Sequence, residues 1–286
     1  MRRSPPQKPV DYLPIAFPAI MLGVFFVIPF AIMVAISVFE RVQGGFYEPA
    51  FTFANYARFL TPFFGKVLAF SLGLAALVSA VCLLIGVPFT YMLTRLRRGK
   101  QVVWLIALLG VLSLSEVIIG FAWSTLLSRT AGLSNLFVWV GLMERPEAWT
   151  PGFAAVLTGL VYQAFPYTVL VLYPAFSRLD PSLMEAARTL GCSPARAFAN
   201  VVLPAMRKTL LATFIIVFIF ALGAYLLPQI LGRPQHWTLS VLVTDQAIYQ
   251  SNMPFAAAMA VFLVVASLAL VGLSMAITGR KGAAGV

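Results

Sequence analysis

Apolar positions along this chain come in long unbroken runs rather than in alternation or in stripes. No charged residue interrupts Tyr12 to Phe39, Val67 to Thr94, Ala148 to Ser177, Thr209 to Gly232 or Gln246 to Gly279, and a sixth run, Val102 to Leu127, contains the single acid Glu116. Each is long enough to cross a hydrocarbon core of about 30 Å. Lipid offers no partner for backbone N–H and C=O groups, so a segment at that depth has to satisfy its own, which a helix does. Membrane strands would alternate in hydrophobicity, and these runs do not. The pattern predicts an all-α integral membrane protein, a single transmembrane domain over residues 1–286. Its six helices are expected over Pro14–Phe39, Val67–Thr94, Val102–Leu127, Phe153–Phe176, Thr209–Leu231 and Pro254–Thr278. The first run is too long, and too poor in a small-residue cleavage site, to be a signal peptide, so it is expected to stay in the protein.

Composition supports this solvent. The chain is 61% hydrophobic and 10% charged, whereas roughly a quarter of a soluble domain is charged. The charges that remain fix an orientation. Arg2, Arg3, Lys8, the second connection (Arg95, Arg97, Arg98, Lys100), the fourth (Arg178, Arg188, Arg196, Arg207, Lys208), Arg280 and Lys281 fall on one side. Arg41, Arg58, Lys66, Arg129, Arg145 and Arg233 fall on the other. The richer side is expected to be cytoplasmic, with both termini inside. The net charge of +11 is then a topology signal and a contact with anionic membrane lipid, not a nucleic-acid surface. Cys82 and Cys192 sit at different depths, which argues against a disulfide, and the lone His236 leaves no metal-ligand set.

Three connections are too long for simple turns. Residues 40–66 and 128–152 are expected on the outer face: the first with Gly44-Gly45 and Phe53-Ala54-Asn55-Tyr56 as a small cap, the second with Leu136-Phe137-Val138-Trp139-Val140 as a short interfacial helix. Residues 177–208 carry more. Strong helix formers run from Ser182 to Leu190 behind Pro181, Gly191 suits a left-handed helix end, and Ser193-Pro194 starts a second short helix toward Val202. This predicts a helix-turn-helix elbow on the cytoplasmic side. Leu183, Ala186, Ala187 and Leu190 form one small apolar stripe beside Glu185 and Arg188, which fits either an amphipathic helix on a membrane or a docking face for another protein.

Within the elbow, Glu185-Ala186-Ala187, three residues, Gly191, nine residues, then Val201-Val202-Leu203-Pro204 resembles the EAA loop of permease subunits of binding-protein-dependent ABC importers. Supporting stretches are Phe53-Ala54-Asn55-Tyr56, Gly159-Leu160-Val161-Tyr162 before Pro166, and Asn252-Met253-Pro254-Phe255-Ala256-Ala257-Ala258; with these the chain looks closest to the spermidine/putrescine-type permeases. It departs from them at Met253, Ala256 and Gly232-Arg233, which leaves the substrate open. The resemblance implies a type I ABC importer permease fold in a bacterial cytoplasmic (inner) membrane. It also implies ATPase coupling through Glu185, Ala186, Ala187, Gly191, Val201, Leu203 and Pro204. The implied partners are a cytoplasmic ABC ATPase dimer that binds the ATP and Mg, a second permease subunit and an extracytoplasmic solute-binding protein. Consistently, Gly99-Lys100 is followed by Gln101 and lacks the preceding glycine of a phosphate-binding loop.

A self-powered secondary transporter or channel subunit is the alternative, but no internal repeat is visible and only one acid lies in a span. An intramembrane enzyme would need a catalytic set that the chain does not offer, so no catalytic residue is expected. Glu116, Gly120 and Trp123 recur at i, i+4, i+7 and would share a face of a continuous third helix. With Tyr162, Gln163 and Tyr225 they could line the path of a polyamine or related organic cation; Glu116 could equally pair with a neighbouring helix.

Overall fold

In a computed structural model of the protein, residues 13–42, 45, 47–130 and 132–279 are described. Arg2, Arg3, Lys8, Gly44, Arg280 and Lys281, used above for orientation and for the outer cap, lie outside the described residues. Among the described residues, five helices are long and apolar enough to span a membrane, and a bent pair makes a sixth passage if it is one span. Among the described residues, extended pairing is confined to one antiparallel bridge between Glu40 and Glu48.

The first span runs through Leu13–Leu22 (α1), a π turn at Gly23–Val27 and Ile28–Ser37 (α2). The π turn has a local cause. Pro29 has no N–H and its ring crowds the carbonyl four residues back; Ile28 N–H bonds instead to Gly23, five residues back, so the chain widens by one residue ahead of the proline.

Two compact units divide the chain. One holds the described residues up to Thr61 together with Val243–Val264. In it the loop after α2 folds back: Asn55 Nδ2 donates to the Ser37 and Phe39 carbonyls at 3.0 Å each, and the Ser37 and Tyr56 hydroxyls lie 2.7 Å apart. Ala54–Ala57 (α3) forms there, and Phe59 stacks on Phe262 at 5.2 Å.

The other unit, Pro62–Leu242 and the end of the chain, is built on Pro62–Thr94 (α4), Phe153–Ser177 (α8) and Leu203–Gly223 (α11). These pack closely where residues are small: a Cβ on Gly86 would come within 2.8 Å of Thr168 Cγ2. Val87, Leu172, Phe176, Val202 and Met206 form one buried cluster, and Leu93, Leu108 and Val169 another. Hydroxyls at Ser79, Thr90 and Thr168 return to carbonyls of their own helices, the usual resolution when no water is present.

Two expected spans are not continuous. The third is Arg98–Ser113 (α5) followed, after a 96° bend, by Glu116–Leu126 (α6). Leu114 and Ser115 are extended there, and Ser115 then Glu116 forms an N-cap and an acidic first turn within an apolar run. The fifth ends at Gly223; Ala224 is extended, and Leu226–Leu231 (α12) is a separate short helix. The carbonyls freed at the end of α11 are satisfied from a distance: Ser240 Oγ donates to Leu222 O at 2.7 Å and Thr238 Oγ1 to Ala224 O at 3.3 Å. The remaining helices are Leu133–Trp139 (α7), Pro181–Thr189 (α9), Pro194–Ala197 (α10), Leu239–Thr244 (α13) and Met253–Gly279 (α14).

Candidate functional site

The elbow forms from its own sequence. Asp180 caps α9, its carboxylate accepting from Ser182 N–H at 2.9 Å, which holds that carboxyl below its ordinary pKa. Asp180 is absent from the sequence-derived set, although an Asp directly before a helix-starting proline is a cap signal. At the other end Gly191 sits at φ +82°, with Gly191 N–H bonded to Arg188 O at 3.0 Å and Cys192 N–H to Ala187 O at 3.1 Å, the two bonds of a Schellman ending. Ser193 Oγ then accepts from Arg196 N–H at 3.4 Å and Pro194 opens α10. Phe198–Val202 is a π turn and Leu203 N–H reaches back to Phe198, so Leu203-Pro204 repeats the device seen before Pro29.

Burial sorts the elbow into two faces. Ala187, Ala197 and Val202 are buried, and Met184, Phe198 and Leu203 pack on the Val87–Phe176 cluster, with the Phe198 ring 4.9 Å from Tyr91. Leu183, Glu185, Ala186, Arg188, Gly191 and Pro204 are exposed, and Leu190 is 84% exposed. The predicted stripe therefore divides: Ala187 turns into the chain's own core, while Leu183, Ala186 and Leu190 face outward. Val201 is half-buried.

The intramembrane candidates separate in a similar way. Gly120 is a contact point, since a Cβ there would meet Ile230 Cδ1 at 2.9 Å. Glu116, half-buried in the first turn of α6, accepts a hydrogen bond from the backbone N–H of Leu227, one of the free donors at the start of α12. Tyr225 occupies the N-cap of α12 and is 41% exposed. Trp123 and Tyr162 do come together, edge to face at 5.6 Å, and both line a cavity of about 280 Å³ with Leu114, Ile118 and Ile119. Its lining carries no charged side chain, and Glu116 is not part of it. Gln163 Oε1 is buried with no hydrogen-bond partner among the described residues. Residues of α12 missed by sequence reasoning shape this region: Leu227 and Leu231 are fully buried, with Leu231 Cδ1 only 2.6 Å from where a Gly159 Cβ would lie. Pro228 and Gly223 are the local signals that could have marked them. Farther along, His236 forms a three-ring cluster with Phe70 and Phe153, at 6.2 and 6.1 Å; burial, then the charge of Arg233, pushes its pKa down.

Long apolar helices, two broken passages and a capped polar elbow between spans define a multi-pass membrane protein. Residues 133–281 match the family described as binding-protein-dependent transport system inner membrane component, and the chain belongs to that family. It is a permease component of an ABC importer and an inner-membrane protein. It is 28% identical over 246 residues to the spermidine/putrescine transport system permease protein PotB of Escherichia coli (strain K12), covering 85% of this chain and 89% of that one. It is 26% identical over 274 residues to the xylose/arabinose import permease protein XacH of Haloferax volcanii, covering 86% and 84%. Among solved structures, a chain of a bacterial alginate ABC transporter in complex with an alginate pentasaccharide-bound periplasmic protein superposes with TM-score 0.76 at 18% identity, covering 96% and 97%. An inward-facing MetNI methionine ABC transporter chain superposes with TM-score 0.58 at 17% identity, covering 77% and 99%. At those identities the likeness is one of fold.

Proposed function

We propose that this chain forms half of the pore of an ATP-driven importer, pairs with a second permease subunit, and moves a polyamine or related organic cation delivered by an extracytoplasmic solute-binding protein. The energy comes from a cytoplasmic ATPase dimer, which holds the ATP and Mg and seats on the elbow. The elbow carries this reading: its inner face is anchored in the core through Ala187, Ala197 and Val202, while Leu183, Ala186 and Leu190 are exposed on the outward side. A rigidly capped helix anchored on one side and apolar on the other suits a groove in a partner and transmits that partner's motion to α8 and α11. Glu185 and Arg188 flank the seat and Gly191 fixes the angle between its two helices.

In this mechanism closure of the ATPase dimer shifts the elbows, and the bundles rock between inward-open and outward-open states. The cargo assignment draws on the likeness to PotB. Trp123 and Tyr162 supply ring faces for a cation, and Glu116, Gly120 and Tyr225 set where α6 and α12 meet beside them. A second reading rests on the same cavity: an uncharged aromatic lining also suits a sugar, and XacH is named for xylose and arabinose.

The test uses the complex purified with its ATPase and reconstituted in liposomes. Leu190→Glu alters an exposed side chain, so insertion should be normal while solute-stimulated ATP hydrolysis falls at least about tenfold, because a charge would be desolvated in the seat. Unchanged stimulation would remove the elbow from the coupling role. Uptake of labelled spermidine against labelled xylose in the same liposomes decides the cargo.

A further inference from the structure

The compact unit formed by the first span, its following loop and the start of α14 contains a polar cavity that shares no residue with the Trp123–Tyr162 cavity. It has a volume of about 320 Å³ and is lined by Glu40, Arg41, Thr52, Asn55, Arg58 and Asn252. Its floor is saturated: Asn55 and Asn252 are 7% and 2% exposed, the first donating to two backbone carbonyls, the second accepting from Phe255 N–H at 3.4 Å. Its rim is not. Arg41 gives one bond, Nη2 to Gln250 O at 2.7 Å, and the Arg58 guanidinium lies over the Phe255 ring at 5.2 Å. Among the described residues neither guanidinium is paired with a carboxylate. Each guanidinium offers five N–H donors in a planar fork, so two forks converge on one recess with most of their donors unused.

We propose that this recess is the receptor for an acidic side chain of the extracytoplasmic solute-binding protein, the carboxylate bridging Arg41 and Arg58; this rests on the importer reading above. Charge-assisted bonds from guanidinium to carboxylate are the strongest polar contacts a protein surface makes. Glu40, on the same rim, completes the specificity: it repels a bare anion and accepts from a donor next to the incoming acid. A folded protein surface presents such an acid beside a donor at fixed spacing. A phospholipid fits less well, because the recess has no large apolar side chain along which an acyl chain can lie, and it shares no residue with the apolar cavity along α2 and α14. Arg41 and Arg58 also leave the recess net positive, which steers an acidic partner toward it.

The complex, reconstituted in phosphatidylcholine nanodiscs with or without phosphatidylglycerol, is titrated with the solute-binding protein that stimulates the parental ATPase. Arg41→Glu with Arg58→Glu should raise the concentration for half-maximal stimulation at least about tenfold, while the maximal rate at saturation is kept. Thr52→Glu, which leaves both arginines in place, should produce the same rise through repulsion, and so guards against misassembly of the double variant. An Asp→Arg or Glu→Arg change on the binding protein should restore the titration of the charge-reversed complex. Parental titration curves in both variants overturn the proposal. So does an effect present only with phosphatidylglycerol, which assigns the recess to lipid. If no solute-binding protein stimulates the parental complex, the importer reading falls and this inference with it; normal stimulation with unshifted curves removes this inference alone.

Discussion

The elbow and the broken helices α5/α6 and α11/α12 are both departures from straight spanning helices, yet they are written into the chain differently. In the elbow every bend has a local author: Asp180 and Ser193 as caps, Pro181 and Pro194 at first positions, Gly191 at positive φ. At the broken helices the local signals are thin and the bends are held by distant groups. Ser240 and Thr238 satisfy the end of α11, Glu116 meets the start of α12, and α12 packs onto Gly120 and Gly159. Polar, water-facing chain stops and starts by its own capping chemistry. Apolar chain in lipid breaks only where other parts of the fold supply the missing partners.

The sharpest way to break this contrast is to unseat α12. Gly159→Val puts a branched side chain where Leu231 Cδ1 already lies within 2.6 Å of a Cβ, and Leu231 is fully buried. An overpacking cost of about 1–3 kcal/mol is expected, seen as a lower Tm in detergent and a smaller yield of assembled complex. A parental melting curve would mean α12 is not held by that contact.

A smaller effect is expected in the elbow. Gly191→Val forces a β-branched residue to φ +82°, a strain of about 1–2 kcal/mol. Because the elbow is locally specified, the bundle should melt normally while stimulated ATP hydrolysis is lost. Equal losses of global stability in Gly191→Val and Gly159→Val would erase the distinction between the two regions.

The smallest effect belongs to a single cap. Ser193→Ala removes one acceptor at 3.4 Å and should cost about 0.5 kcal/mol, the low end for a cap because the bond is long. Faster amide exchange confined to Arg196 and Ala197, whose N–H groups bond to Ser193, is the expected signature, with α9 unaffected. Exchange that spreads across α9 would show that the two short helices fold as one unit.

Legibility followed the same division. The elbow's boundaries, its glycine ending and its second start could be read directly, since caps, prolines and glycines act within a few residues of where they stand. The stripe Leu183, Ala186, Ala187 and Leu190 could be read only as a set, because periodicity does not say which edge meets the chain's own core; α9 lies against the Phe198–Val202 turn and Ala187 is the stripe residue that is buried. Glu116 was visible as an anomaly in an apolar run. Its hydrogen bond to Leu227 was not, because the break after Ser113 turns the helix and the partner lies more than a hundred residues away.

By itself the sequence determined that this chain lives in a membrane as helices, roughly where each span lies, and that a capped elbow interrupts them. Those features follow from transfer of apolar surface out of water and from backbone groups satisfied within one segment, both local to the residues concerned. The tertiary structure decided the two broken passages, the pairing of Trp123 with Tyr162, the division of the elbow into buried and exposed faces, and the polar recess at Arg41 and Arg58. Each of these depends on groups far apart in the chain supplying a hydrogen bond or a close contact to one another, and no pattern within a single segment records which distant group that will be.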